Sequence, residues 1–224
     1  MSIQIIGALT KRQLPLRTLP ILAQVVHPTG DTDLDKILRY YESPDGLQPH
    51  AVIATDGKTY RTAMEDRIAW HAKIDPLEAK LYQQGYQVWS RWIWPLGAQS
   101  PKHIGEDEFS GYRGWRQRWL EAKSVQSPLN LITSSHPNSV SLGVELQATD
   151  KPGIFTDAQY ASLAELSIFW SEQFHYPLDA DHVLGHQDVA PMRRSTSSGG
   201  WDPGDRFDWN RLWDSIRAAQ KAVA

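Results

Sequence analysis

The sequence predicts an α/β fold, and three observations carry that prediction. Strand-like and helix-like segments alternate, a turn-forming Asp56-Gly57 pair separates two β-prone runs, and one long amphipathic segment opens on a capping pattern. In chain order, "AQVVHPTG" (23–30) has the apolar run of a short buried strand entering a Pro/Gly turn, with His27 at its end. "DTDLDKILRYYES" then has helical spacing: Leu34, Ile37, Leu38 and Tyr41 share a face, and Thr32 with Asp35 supplies a capping pair. "HAVIATDGKTYRTA" (50–63) is a hairpin turning at Asp56-Gly57. "NSVSLGVELQA" (138–148) alternates as a strand does and places Glu145 among apolar neighbours. "FTDAQYASLAELSIFWSEQF" is a helix. Thr156 and Gln159 form its capping box, Tyr160, Leu163, Trp170 and Phe174 line one side, and Pro177 forbids continuation. "DHVLGHQD" is a further strand and "DWNRLWDSIRAAQKAV" a closing amphipathic helix.

With 224 residues, 41% of them hydrophobic, the chain suits one domain with a real core. No run approaches the roughly 18 apolar residues of a membrane span. The formal charge of −3 argues against a nucleic-acid partner. Cysteine is absent, which removes disulfides, thiol nucleophiles and thiolate metal ligands and leaves His, Asp and Glu to build any metal site. The N-terminal "MSIQIIGALTKRQLPLRTLP" is broken by charges and prolines and lacks the features of a signal peptide, so a cytosolic location is expected.

Residues 76–136 stand apart as a Trp-rich, largely helical insertion holding five of the ten tryptophans: Trp89, Trp92, Trp94, Trp115 and Trp119. These aromatics suit a satellite core, since each buries a large area, or alternatively a sugar-stacking or lid surface.

The loop "GHQDVAPMRRSTSSGGWDPGDRFDW" (185–209) holds an imidazole and a carboxylate at fixed ends of a Ser/Gly-rich stretch. Hydrolytic zinc takes three protein ligands and keeps one position open for water. His27 and His186 lie at predicted strand ends, and neighbouring strands about 4.8 Å apart let two such imidazoles converge on one ion. Asp202 would return to that ion after the loop. The other reading of each histidine is an ordinary hydrogen-bonded or surface residue.

The blocks "VVHPTG", "PHAVIATDGKTYR", "RIAWHA", "NSVSLGVELQ", "FTDAQYASL", "GHQDVAP" and "DPGDRFDW" occur in that order. Together they resemble the type 2 N-acetylmuramoyl-L-alanine amidase family, which shares its fold with peptidoglycan recognition proteins. The likeness covers residues 23–75 and 138–213 of one domain, 1–224. It implies a central mixed β-sheet flanked by helices, with a zinc groove at the strand ends. It also implies Zn²⁺ held by His27, His186 and Asp202, the Asp-ligated form being that of bacterial amidases.

The implied reaction hydrolyses the amide joining the lactyl group of N-acetylmuramic acid to L-alanine, in peptidoglycan or its fragments. Glu145 matches the catalytic glutamate, with a salt-bridged strand carboxylate as the plain alternative. The bacterial amidases carry a lysine eight residues after the second histidine, where this chain has Arg194, with Arg193 as a substitute. The chain then departs from the family by inserting "STSSGGW", and Arg is not equivalent to Lys because its planar fork delivers charge differently. His50 and His71 match groove-lining positions and are expected to contact substrate, or else to serve in the core. Asp188 is expected to orient a ligand imidazole or to close a turn. A catalytically silent peptidoglycan-binding protein on the same fold is the alternative function. Recycling of soluble anhydro-muropeptides is weighed against wall lysis by an enzyme exported without an N-terminal signal.

Overall fold

The computed structural model describes residues 5–7, 9, 13–43, 46–74, 136–151, 154–190, 202–204 and 206–223. The expected Trp-rich insertion (76–136) lies outside the described residues except for His136, and Arg193 and Arg194 lie outside them as well.

Six strands form one sheet: β1 (Ile5–Gly7), β2 (Ala23–Pro28), β3 (Ala51–Ile53), β4 (Thr59–Arg61), β5 (Ser141–Leu146) and β6 (Val183–Gly185), in the order β1-β4-β3-β5-β2-β6. The β3–β4 hairpin is antiparallel and every other neighbouring pair is parallel, so the sheet is mixed as the family resemblance implies. Gly57 makes the hairpin turn possible at φ +87°, a conformation costly for residues with a Cβ.

Helices cover both faces. α1 (Leu34–Glu42) lies on one face, packing Ile37 and Tyr41 on Val52 with Leu34, Leu38 and Tyr60 around them. Its cap differs from the Thr32/Asp35 expectation. Asp33 is the N-cap and accepts from the Lys36 N–H at 3.1 Å, while Asp31 accepts from the Asp33 N–H. A carboxylate at the position before the first turn reaches the orphan amides directly, so the nearer Asp takes the role from Thr32.

The opposite face holds the main core. Val26, Ala51, Ile53, Leu142, Val144 and Leu146 meet Leu163, Leu166 and Trp170 of α3 (Asp157–Phe174), with Leu212 and Ile216 of α5 (Trp209–Val223) behind. The Thr156/Gln159 capping box forms as expected, and the Gln159 side chain goes on to donate to the Ile53 and Gln147 carbonyls. The cap thereby fixes α3 to β3 and to the residue that follows β5.

Two short helical turns revise the strand bounds. α2 (Pro137–Val140) occupies the start of the expected 138–148 strand, because Pro137 sits at a helix N-terminus and cannot donate to a ladder. α4 (His186–Val189) begins as soon as β6 ends, so His186 opens a turn and does not extend the strand.

Candidate metal centre

Alternation along the central strands selects the site. On β5 the residues Leu142, Val144 and Leu146 point into the main core, so Ser141, Gly143 and Glu145 point to the other face. Register then aligns Val52, Glu145 and His27 in one row across β3, β5 and β2. The β2–β6 ladder pairs Val26 with Gly185, and one step further brings His186 beside His27. These positions lie at the carboxyl ends of parallel neighbours, where open α/β sheets hold their ligands.

Asp202 closes the group. Its Oδ2 lies 3.2 Å from His27 Nδ1 and 3.0 Å from His186 Nδ1, and the three ligand atoms fall within 4.8 Å of one another. The exposures are 1% for His27, 0% for His186 and 4% for Asp202. Burial alone raises the Asp202 carboxyl, but the two imidazoles outweigh it and hold the group below the usual carboxylate range.

The outer ring nitrogens decide what this trio fits. His186 Nε2 lies 2.8 Å from the Lys73 carbonyl, which only accepts, so the proton of the neutral ring is on Nε2. His27 Nε2 lies 3.2 Å from His71 Nδ1, and His71 Nε2 faces the Ser141 hydroxyl at 3.4 Å, which in turn donates to the Pro137 carbonyl at 2.7 Å. That chain is satisfied throughout when His27 also carries its proton on Nε2. Both Nδ1 lone pairs then face the Asp202 oxygen. Two imidazole nitrogens and a carboxylate pointing lone pairs at one buried spot repel each other unless a cation lies between them. Zinc bonds of about 2.0–2.2 Å in a tetrahedron set ligand separations near 3.3 Å, close to the 3.0 and 3.2 Å observed. The donor set fits zinc.

Comparison with known proteins agrees with this geometry. The family model described as N-acetylmuramoyl-L-alanine amidase matches residues 17–205. The chain belongs to the N-acetylmuramoyl-L-alanine amidase family. Among individual relatives, the 1,6-anhydro-N-acetylmuramyl-L-alanine amidase AmpD of Enterobacter cloacae is 40% identical over 75 residues, covering 34% of this chain and 35% of the relative. The matched stretch thus spans about a third of the length of that relative. A crystal structure of a selenomethionine AmpD derivative superposes with a TM-score of 0.56 at 20% identity, covering 95% of this chain and 93% of that one. The amidase AmiD of E. coli, in complex with anhydro-N-acetylmuramic acid-L-Ala-D-γ-Glu-L-Lys, gives 0.52 at 20% identity, covering 92% of this chain and 61% of that one. Both structures share the fold.

Within this amidase fold the other expected site residues take distinct places. Glu145 is 8% exposed, in register with the ligand candidate His27. The buried Tyr41 hydroxyl hydrogen-bonds its carboxylate, and burial first, then the Glu145 charge, raises the Tyr41 hydroxyl far above its ordinary value. His50 is fully buried and fully engaged: Nδ1 accepts from the Gly143 N–H at 2.9 Å and Nε2 meets the Arg67 carbonyl at 3.2 Å. Burial, with the Arg17 charge adding to it, lowers His50 to about 3. His71 is buried beneath His27, and burial followed by the neighbouring imidazoles keeps it neutral. Neither ring presents a nitrogen outward, so both sit behind the donor set. Asp188 accepts from the Gly185 N–H at 2.8 Å and so closes the turn that starts at His186.

Three further supports leave little signal in the sequence. Arg17 donates to the backbone carbonyls of Glu65, Arg67, Asn138 and Ser141, stapling the 65–67 loop to the start of β5. Its one signal was a lone cation inside the apolar "LPLRTLP". The Lys73 carbonyl is backbone and leaves no trace in residue type. Gly143 looked like an ordinary strand glycine, yet a Cβ there would lie 2.2 Å from His71 Cγ.

Proposed function

We propose that this protein is a zinc-dependent amidase that hydrolyses the bond between the lactyl carbonyl of N-acetylmuramic acid and the amine of L-alanine. The observation that carries the reading is the buried His27–His186–Asp202 trio with both outer imidazole nitrogens committed to hydrogen bonds. When bound, zinc acts as a Lewis acid toward the scissile carbonyl and lowers the pKa of water toward about 7. Glu145 is the general base. It takes a proton from the attacking water and passes it to the departing nitrogen, so the amine leaves neutral. Tyr41 fixes the carboxylate rotamer through their hydrogen bond. Arg194, outside the described residues, supplies the positive charge that stabilises the developing oxyanion, with Arg193 as its substitute.

The substrate we favour is a soluble anhydro-muropeptide, which is what the names of the AmpD relatives specify for those proteins. That substrate accords with action in the cytosol, on fragments released by wall turnover. Retention of all three metal donors together with Glu145 favours an enzyme over a silent binding protein. The test compares kcat/KM on soluble anhydro-muropeptides with peptide release from purified sacculi. Faster release from sacculi overturns the recycling assignment, and stoichiometric zinc without release from either substrate overturns the enzyme.

A further inference from the structure

We propose that the three-residue segment His71–Ala72–Lys73 is a positioning strap for the metal ligands, with His71 fixing the tautomer and angle of His27. This inference rests on the zinc reading above. Alternate residues of the segment serve the two imidazoles. His71 Nδ1 accepts from His27 Nε2 at 3.2 Å, and the Lys73 carbonyl accepts from His186 Nε2 at 2.8 Å. Between them the Ala72 N–H donates to Asn138 Oδ1 at 2.8 Å, which ties the segment to α2. Asn138 is held in its turn by its carbonyl, which accepts from Arg17. One strap therefore aims both Nδ1 atoms at Asp202.

His71 has the harder task. A backbone carbonyl accepts in any state, whereas an imidazole accepts only through an unprotonated nitrogen. Ser141 settles which nitrogen that is. Its hydroxyl is directed to the Pro137 carbonyl at 2.7 Å, so it receives the His71 Nε2–H and leaves Nδ1 free to accept. The ring packs directly on the strand because Gly143 has no side chain, and it meets the His27 ring edge-on, at 74° between planes. Partners of this kind typically contribute 10- to 100-fold to metal affinity.

The experiment titrates metal-free protein with zinc alone, in competition with a chromophoric chelator, for wild type, His71→Asn and His71→Phe. Asn offers an amide oxygen close to the Nδ1 position, while Phe keeps the flat ring and removes the acceptor. We expect His71→Phe to weaken zinc by roughly 10- to 100-fold and His71→Asn to restore most of the loss. Equal weakening in both variants would make His71 a packing residue and overturn the proposal, as would wild-type affinity in His71→Phe. Asn138→Ala, which releases Ala72 without touching either imidazole, is expected to weaken zinc in the same direction, and unchanged affinity there overturns the strap. Failure of wild type to bind one zinc overturns the metal reading itself, a different result from any of these.

Discussion

Gly143→Ala is a small substitution with a large expected cost. The new Cβ would lie 2.2 Å from His71 Cγ, 2.5 Å from its Cβ and 2.7 Å from Nδ1, where ordinary contact begins at 3.4 Å. Strand β5 cannot retreat, because its opposite face packs Leu142 and Val144 into the main core against Leu163, Leu166 and Trp170. The imidazole must therefore move by about 1.2 Å, the difference between those separations. Such a shift breaks the 3.2 Å contact to His27 Nε2, since hydrogen bonds fail beyond about 3.5 Å. Overpacking costs about 1–3 kcal/mol, and at this chain length that lowers Tm by about 2–12 °C. Zinc affinity should fall by roughly 10- to 100-fold with the lost partner. The assay is a thermal melt of the metal-free protein alongside zinc titration. Elsewhere in a strand, Gly→Ala would stabilise by roughly 0.5–1 kcal/mol, so the sign decides. A variant as stable as wild type, with unchanged zinc affinity, would refute the seating of His71 on Gly143.

Three further outcomes follow from the same geometry. Asp202→Ala should abolish stoichiometric zinc, and metal analysis showing one zinc per chain in that variant would remove Asp202 from the ligand set. Glu145→Ala should keep zinc and the fold while lowering turnover by roughly 10² to 10⁴; near-normal turnover would move the base elsewhere. Denaturation should lose stability in acid, because His50 is held at about 3 in the folded state against about 6.5 when unfolded. Between those values the unfolded chain binds a proton that the folded chain refuses, so stability falls as pH drops through that window. His50 contributes about 1.4 kcal/mol per pH unit, and His50→Asn should remove that share of the slope.

Local chemistry was the legible part of this fold. Thr156, Gln159 and Pro177 delimit α3 because caps and helix breakers act within a few residues. Asp56-Gly57 gives the hairpin for the same reason, since the positive φ must fall on glycine. The cap of α1 slipped because Asp31, Asp33 and Asp35 compete within one turn and spacing alone does not rank them. Strand order was not legible. It depends on pairings such as His27 with Glu145 that are remote in sequence. The grouping of His27, His186 and Asp202 as candidate metal donors was legible because their side chains carry the chemistry and their flanking motifs resemble the family. Their supports were not: a Lys73 carbonyl, a Gly143 without a side chain and an Arg17 that donates to backbone carbonyls leave little mark on residue type.

Product analysis tests the amidase assignment most directly. Zinc-loaded protein is incubated with a soluble anhydro-muramyl peptide in water enriched in heavy oxygen, and the products are weighed by mass spectrometry. Two products are expected, anhydro-N-acetylmuramic acid carrying the label in its lactyl carboxylate and an unlabelled peptide beginning with L-alanine. Cleavage at another bond, or intact substrate in the presence of one bound zinc per chain, would contradict it.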